Sequence, residues 1–183
     1  DFFFFFYEEA QRLITLVNDI IKISELDEKK DKADMEEVDL FELSSDIISR
    51  LEPVAVKRNI CLNLIGESTV LLGNEKILDE MIYNLCDNAI KYNADNGTVD
   101  VILNESSKHI KLTVRDTGIG IPQSEQERIF ERFYRVDKSH SKTIGGTGLG
   151  LSIVKHAAIY HNAEIKVKSE LDKGTSITVM FNK

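Results

Sequence analysis

Apolar positions along this chain follow two different periods. From Tyr7 to about Lys30, Leu13, Leu16, Val17, Ile20, Ile21 and Ser24 recur at three- and four-residue steps, with Glu8, Glu9, Gln11, Arg12, Asn18, Asp19 and Lys22 between them. That spacing predicts an amphipathic helix. Its stripe must bury against something, and a partner helix, in this chain or in a second copy, is the natural candidate. The stretch DEKKDKADMEE, 27–37, is almost wholly charged and reads as a solvated linker. This divides the chain into an N-terminal helix at 1–30, a linker at 31–37 and a domain at 38–183. Asp39-Leu40-Phe41-Glu42 has the form of a capping box, and Leu43, Ile47, Leu51 and Val54 supply the buried face of the helix it opens.

Beyond that helix the period shortens. Ile60 to Ile65 alternates weakly, and Val70 to Leu72 forms a second short strand leading through Gly73 into a strong helix over Glu75 to Tyr92. Val99, Val101 and Leu103 line one face of a strand, and Ile110, Leu112 and Val114 one face of the next. A helix over about Leu149 to His161 is apolar nearly all round, hence buried. Ile165 and Val167, then Ile177, Val179 and Phe181, mark two closing strands joined near Asp172 to Gly174. Helices and strands do not strictly alternate. The expected class is α+β, a two-layer sandwich with a mixed, largely antiparallel sheet and helices on one face, preceded by one long helix.

Composition narrows the function more than the fold. At 183 residues and about 150 residues per domain, the chain is one domain with an appendage. Acidic residues outnumber basic ones 31 to 23, a net charge of -8, which argues against coating nucleic acid. Cys61 and Cys86 are too few for a disulfide framework and lack zinc-site spacing, so a reduced, cytosolic setting is expected. No apolar run approaches the roughly 18 residues of a membrane span. Phe2 to Phe6 follow an acidic first residue with no basic leader, unlike a signal peptide. The pattern offers no account of that run.

Three constellations could carry chemistry. On the long helix, Asn84, Asn88 and Lys91 fall on one stripe at steps of four and three, away from the apolar face of Ile77, Leu78, Met81, Ile82, Leu85 and Ala89. An amide oxygen can ligate Mg²⁺, which keeps waters and shares phosphate oxygens, and an ammonium can neutralise phosphate. A solvated helix face would carry the same residues. At the end of a strand, Asp116 shares the parity of Ile110, Leu112 and Val114. Its carboxylate therefore leaves the apolar face, where an unpaired charge is costly and the amino group of an adenine would be a fitting donor. Gly118 and Gly120 permit close approach, although Asp and Gly are also common in plain turns. Third, GGTGLGL, Gly145 to Leu151, opens the buried helix, and amides at a helix start bind phosphates. It matches neither the P-loop nor the dinucleotide spacing, and a flexible hinge is the alternative. Upstream, Arg132, Arg135, Lys138 and Lys142 make a locally basic segment that could close over phosphates as a lid.

Taken together, NLCDNAIKY, DTGIGIP, FERFYRVD and GGTGLGLSIVKH resemble the N, G1, F and G2 boxes of sensor histidine kinases. The resemblance covers about Val38 to Lys183, the ATP-binding catalytic domain of the GHKL superfamily, with the Gram-positive phosphate-sensor type as the nearest variety. The segment EEAQRLITLVNDIIKISELDE resembles the second helix of the family's dimerisation hairpin. The resemblance implies that Asn88 ligates Mg²⁺ with Asn84 beside it, that Lys91 touches phosphate, and that Tyr92 packs at the nucleotide. It implies that Asp116 accepts from the adenine amino group in a pocket shaped by Gly118 and Gly120. Phe130 and Phe133 would anchor the lid, Arg135 and Lys138 would contact phosphate, and Gly146, Thr147, Gly148, Leu149 and Gly150 would form its hinge and phosphate-facing turn. The implied ligands are ATP or ADP with Mg²⁺. The implied partners are a phosphoacceptor helix, a response regulator and a second copy through the N-terminal helix, in the cytoplasmic part of a membrane-bound sensor.

One departure matters. The family's phosphoacceptor histidine lies in an H-E-x-x-x-P-type motif, and none of His109, His140, His156 or His161 has that context. The donor domain is expected to bind ATP and to transfer phosphate to a histidine outside these residues. Two alternatives remain. ATPases of the same superfamily place a water-activating glutamate four residues before the metal-binding asparagine, where Asn84 stands here. A non-catalytic nucleotide-binding interaction module would keep the same boxes.

Overall fold

The computed structural model describes residues 2–28, 34–136 and 146–183. In chain order these form α1 (Phe2–Glu28), β1 (Glu36–Asp39), α2 (Leu40–Val56), β2 (Cys61–Ile65), β3 (Val70–Gly73), α3 (Glu75–Lys91), β4 (Thr98–Glu105) and β5 (His109–Asp116). Two short 3-10 turns follow, Gln123–Glu125 and Arg128–Phe130, and then α4 (Gly150–Tyr160), β6 (Glu164–Glu170) and β7 (Gly174–Asn182). Lys138, Lys142 and the rest of 137–145, most of the expected lid, lie outside the described residues.

The main sheet runs β2-β4-β5-β7-β6. Only β2 and β4 are parallel; the other pairs are antiparallel. Its buried face carries Val99, Val101 and Leu103 from β4, Ile110, Leu112 and Val114 from β5, and Ile177, Val179 and Phe181 from β7. Against them pack Leu43, Ile47 and Leu51 of α2, Leu78, Met81, Ile82 and Leu85 of α3, and Val154 and Ala157 of α4. Each fully buried large aliphatic side chain here contributes about 1.5–3 kcal/mol. The mixed, mainly antiparallel architecture agrees with the alternation in the sequence.

The helix starts are set by side chains. Asp39 caps α2, accepting from the amides of Phe41 at 2.8 Å and Glu42 at 3.3 Å, and a Ser68 hydroxyl bond holds its carboxyl below the usual carboxylate range. Asn74 caps α3 by accepting from Ile77 N at 3.0 Å. Glu75 in the first turn of α3 and Lys91 in the last complement its dipole. At the far end of α4, His161 is buried with Nδ1 2.8 Å from Ala157 O and Nε2 3.1 Å from Asn74 N. It joins the end of α4 to the start of α3, a structural role.

Three findings depart from the pattern. Val54, expected on the buried face of α2, is 45% exposed, and that face runs from Leu51 to Ala55 instead. Glu36 and Glu37, read as the end of the linker, pair with Gly73 and Leu72 in a two-stranded antiparallel sheet of β1 and β3. Only Val38 of this four-residue strand is buried, too little alternation to register. Helix α1 begins at Phe2 and absorbs the phenylalanine run. The expected stripe is not the face that buries: Ile23, which lies outside it, is 3% exposed and packs with Leu16 against Leu149 and Ile153. Leu13, Ile14, Val17, Ile20 and Ile21 stay 46–58% exposed.

Candidate functional site

A cavity of about 190 Å³ opens between α3, the ends of β5 and β7, and the loops on either side of the 3-10 turns. Helix α3 supplies Leu85, Asn88 and Ala89, and Tyr92 follows at its C-cap. The sheet supplies Val114, Asp116, Thr175 and Ile177, and the loop after β5 supplies Ile119, Gly120 and Ile121. Tyr134, Arg135 and Val136 close one side; Gly148, Gly150 and Leu151 close the other. Asn88, Asp116 and the glycine run, far apart in the chain, therefore meet at one volume. Three antiparallel strands with matched register bring this about. Asp116 stands opposite Val99, and Val114 opposite Ile177, so parity carries Asp116 and Thr175 to the same buried end.

Asp116 is the electrostatic focus. Burial pushes its pKa up, and amide hydrogen bonds from Gly118 and Thr175 oppose the rise. Both amides donate to Oδ1, at 2.8 Å and 3.2 Å. Oδ2 takes no bond from any described residue, so one acceptor lone-pair set remains for a ligand. The backbone leaves room for nothing larger than hydrogen around it. A Cβ on Gly118 would lie 2.2 Å from Tyr92 O, one on Gly174 2.0 Å from Asp116 O, and one on Gly120, at φ +70°, 2.1 Å from Glu170 O.

The loop after β5 is pinned from β6. Ile121 N donates to Ser169 Oγ at 2.8 Å, and Ser169 Oγ lies 2.8 Å from Thr175 Oγ1. Gln126 donates to the carbonyls of Ile121 and Ser169 at 3.1 Å and 3.0 Å.

At the other end, the amide stripe meets the glycine run. A Cβ on Gly150 would lie 2.9 Å from Asn84 Oδ1 and 3.3 Å from Asn88 Nδ2. Asn88 makes no side-chain hydrogen bond to a described residue and so presents its amide freely. Among the described residues no group of three or more His, Cys, Asp or Glu could hold a metal. A single amide ligand fits a cation that takes its other oxygens from phosphate and water. Gly148, at φ +74°, packs against the backbone of Phe133 and accepts from Phe133 N at 3.0 Å. Arg135 lines the cavity and donates to Gly146 O at 2.9 Å, joining the two loops.

Not every expected residue faces the cavity. Asn84 turns its Nδ2 back to Glu80 O at 2.7 Å. Lys91 pairs with Asp87 at 2.5 Å, one turn earlier on α3. Thr147 Oγ1 donates to Asp19 of α1 at 2.7 Å. Leu149 is fully buried with Ile23 and Ile153, in apolar contact instead of beside a ligand. Phe133 is 57% exposed at φ +63°. The sequence reading missed Thr175, Ser169, Gln126, Tyr134 and Val136. Thr175 was within reach, because it has the parity of Ile177, Val179 and Phe181 that singled out Asp116 on the neighbouring strand. The others come from loops or strand ends, where no period exists to read.

Residues 73–183 match the family described as histidine kinase-, DNA gyrase B-, and HSP90-like ATPase. The chain is 37% identical over 172 residues to the sensor-like histidine kinase SenX3 of Mycolicibacterium smegmatis, covering 93% of this chain and 45% of that protein. It is 35% identical over 173 residues to the sensor histidine kinase WalK of Bacillus subtilis, covering 93% and 28%. Full-length ShkA, solved in complex with AMPPNP, superposes with a TM-score of 0.82 at 25% identity over 95% of this chain and 36% of that one. The chain therefore belongs to the histidine kinase-, DNA gyrase B- and HSP90-like ATPase family and carries the ATP-binding catalytic domain of a sensor histidine kinase. It spans less than half the length of these relatives.

Proposed function

We propose that the cavity binds Mg-ATP and presents its γ-phosphate to a histidine outside this chain. Asp116 Oδ2 accepts from the adenine amino group, and Ile119, Ile121, Tyr134 and Val136 enclose the base. Asn88 ligates Mg²⁺, which neutralises and orients the phosphates. Arg135, Lys138 and the amides of Gly146 to Gly150 hold the phosphate oxygens, and Lys91 joins them by exchanging Asp87 for phosphate. Phosphoryl transfer needs little covalent chemistry from the protein beyond positioning and charge neutralisation. The observation that carries the reading is the convergence of an unbonded Asn88 amide, an open Asp116 oxygen and the Gly148–Gly150 backbone on one volume.

Hydrolysis is not the expected outcome. Asn84 lacks the basicity to activate water, and the carboxylates one turn to either side of it on α3 are paired, Glu80 with Lys22 at 2.8 Å and Asp87 with Lys91 at 2.5 Å. The wider assignment extends the family resemblance of the motifs: a phosphoacceptor helix and a response regulator as partners, a second copy docked on the exposed stripe of α1, and a cytoplasmic position in a membrane-bound sensor. No helix among the described residues is long and apolar enough to cross a membrane. Incubating this chain with labelled ATP and a separate domain bearing the acceptor histidine tests the transfer. Acid-labile label is expected on the added domain. Its absence alongside intact ATP binding would leave a nucleotide-binding module instead.

A further inference from the structure

The two walls of the cavity belong to different elements. Asn88 and Tyr92 stand on or beside α3, and Asp116 ends β5. A ligand that spans both is held well only if the gap between them is fixed. The residues that fix it lie outside the cavity. Arg58 sits in the turn from α2 to β2, before Asn59 at φ +53°. Its guanidinium donates to Ile90 O at 2.5 Å, Lys91 O at 2.8 Å and Asn93 O at 2.8 Å. Its own carbonyl accepts from Asn96 N at 3.4 Å. The last carbonyls of a helix lack intrahelical partners, and a cation there also complements the dipole. The three carbonyls are divided between Nη1 and Nη2, an arrangement that suits the planar fork of an arginine and that the single nitrogen of a lysine does not reproduce.

From there the bonding continues to β5. Asn93 is buried, donates to Thr98 O at 2.9 Å and accepts from Thr117 Oγ1 at 3.2 Å. Thr117 Oγ1 in turn accepts from Thr98 N at 2.9 Å. Beside it, Ile119 N donates to Tyr92 O at 3.1 Å. The residue after Tyr92 is thus bonded to the residue after Asp116. We propose that Arg58, acting through Asn93 and Thr117, is a positioning residue that sets the spacing of the Asn88–Tyr92 wall relative to Asp116. The inference rests on reading the cavity as an Mg-ATP site.

The test compares a ligand that spans both walls with one that engages mainly the Asp116 end. Mg-ATP affinity is measured by calorimetry and adenosine affinity by NMR titration, for the wild type, Arg58→Gln, Arg58→Lys and Thr117→Val. Misplacement by about 1 Å can cost on the order of a hundredfold in a positioned reaction. Arg58→Gln is therefore expected to weaken Mg-ATP at least about tenfold, with adenosine changed less than about twofold. Arg58→Lys keeps the charge but not the fork, and is expected to behave like the glutamine variant. Thr117→Val carries the same two-ligand comparison should Arg58→Gln fail to fold, with the same split. A lower melting midpoint with both affinities unchanged, an equal loss for both ligands, or wild-type Mg-ATP affinity in Arg58→Lys overturns the inference alone. A wild-type chain that binds neither ligand overturns the nucleotide reading first.

Discussion

The two ends of the cavity are built on different principles. At the Asp116 end, the shaping contacts come from neighbouring strands, from loops hydrogen-bonded to them and from the Tyr92 carbonyl at the end of α3. Thr175, Ser169, Gln126 and the Gly118 amide form a closed network with one open oxygen, Asp116 Oδ2. At the glycine end, Gly146 and Gly148 take positive φ angles, and the run is held by Phe133 N to Gly148 O, Arg135 to Gly146 O, Thr147 to Asp19 of α1 and the burial of Leu149 against Ile23. One end is a fixed mould in the sheet. The other is a loop whose shape depends on what touches it. A base of constant shape suits the first, and phosphates that must be delivered and released suit the second.

The comparison breaks most easily at Asp116. In Asp116→Asn the amide can still accept from Gly118 and Thr175 but turns an NH₂ toward the adenine amino group. A lost buried polar match costs about 1–3 kcal/mol, so ATP affinity, read by calorimetry, is expected to fall roughly ten- to a hundredfold. Stability should move the other way. Burial raises the folded-state pKa of Asp116 above 3.8, so its ionisation opposes folding once the pH passes that raised value. Below pH 3.8 both states hold the proton and the penalty is absent. The ligand-free Asp116→Asn protein should therefore melt higher than wild type at neutral pH, with the gap closing in acid.

Asn88→Ala probes the other end. The ratio of ATP affinities with and without Mg²⁺ is expected to collapse toward one, while adenosine binding stays within about twofold, since one metal ligand outside the base pocket is lost. Asp19→Ala is a gentler change there. It frees the Thr147 hydroxyl and removes a negative charge near the proposed phosphate position. At water-like screening that charge is worth up to about 1 kcal/mol, so ATP should bind up to roughly fivefold tighter in calorimetry at low salt, and the gain should fade with added salt. Asp39→Ala should leave ATP affinity unmoved. It removes the α2 cap, about 1 kcal/mol of stability, measured by urea unfolding. Because the folded-state pKa of Asp39 is lowered, that contribution is present above pH 3.8 and disappears as the pH falls through the lowered value.

The same contrast explains what was legible in the sequence. Helix α3, with Asn84, Asn88 and Lys91 on one stripe, could be read from its period. So could the strands that carry Asp116, because alternation fixes which side chains share a face. The glycine run declared its position but not its contacts. That Leu149 is buried with Ile23, and that Thr147 bonds Asp19, depends on where α1 docks, which no local pattern encodes. Tyr134 and Val136 reach the cavity from a segment without regular structure, and β1 is too short to alternate. Of the α1 stripe read from the sequence, Leu16 alone finds cover among the described residues, and the position that is buried, Ile23, lies outside that stripe.

The most direct test of the central claim is a calorimetric titration of Mg-ATP into the wild type, Asp116→Asn and Asn88→Ala. A single adenine-nucleotide cavity predicts one site per chain in the wild type, a large loss of affinity in Asp116→Asn, and loss of the Mg²⁺ dependence in Asn88→Ala. Saturable binding that neither substitution alters, or no binding to the folded wild type, would contradict it.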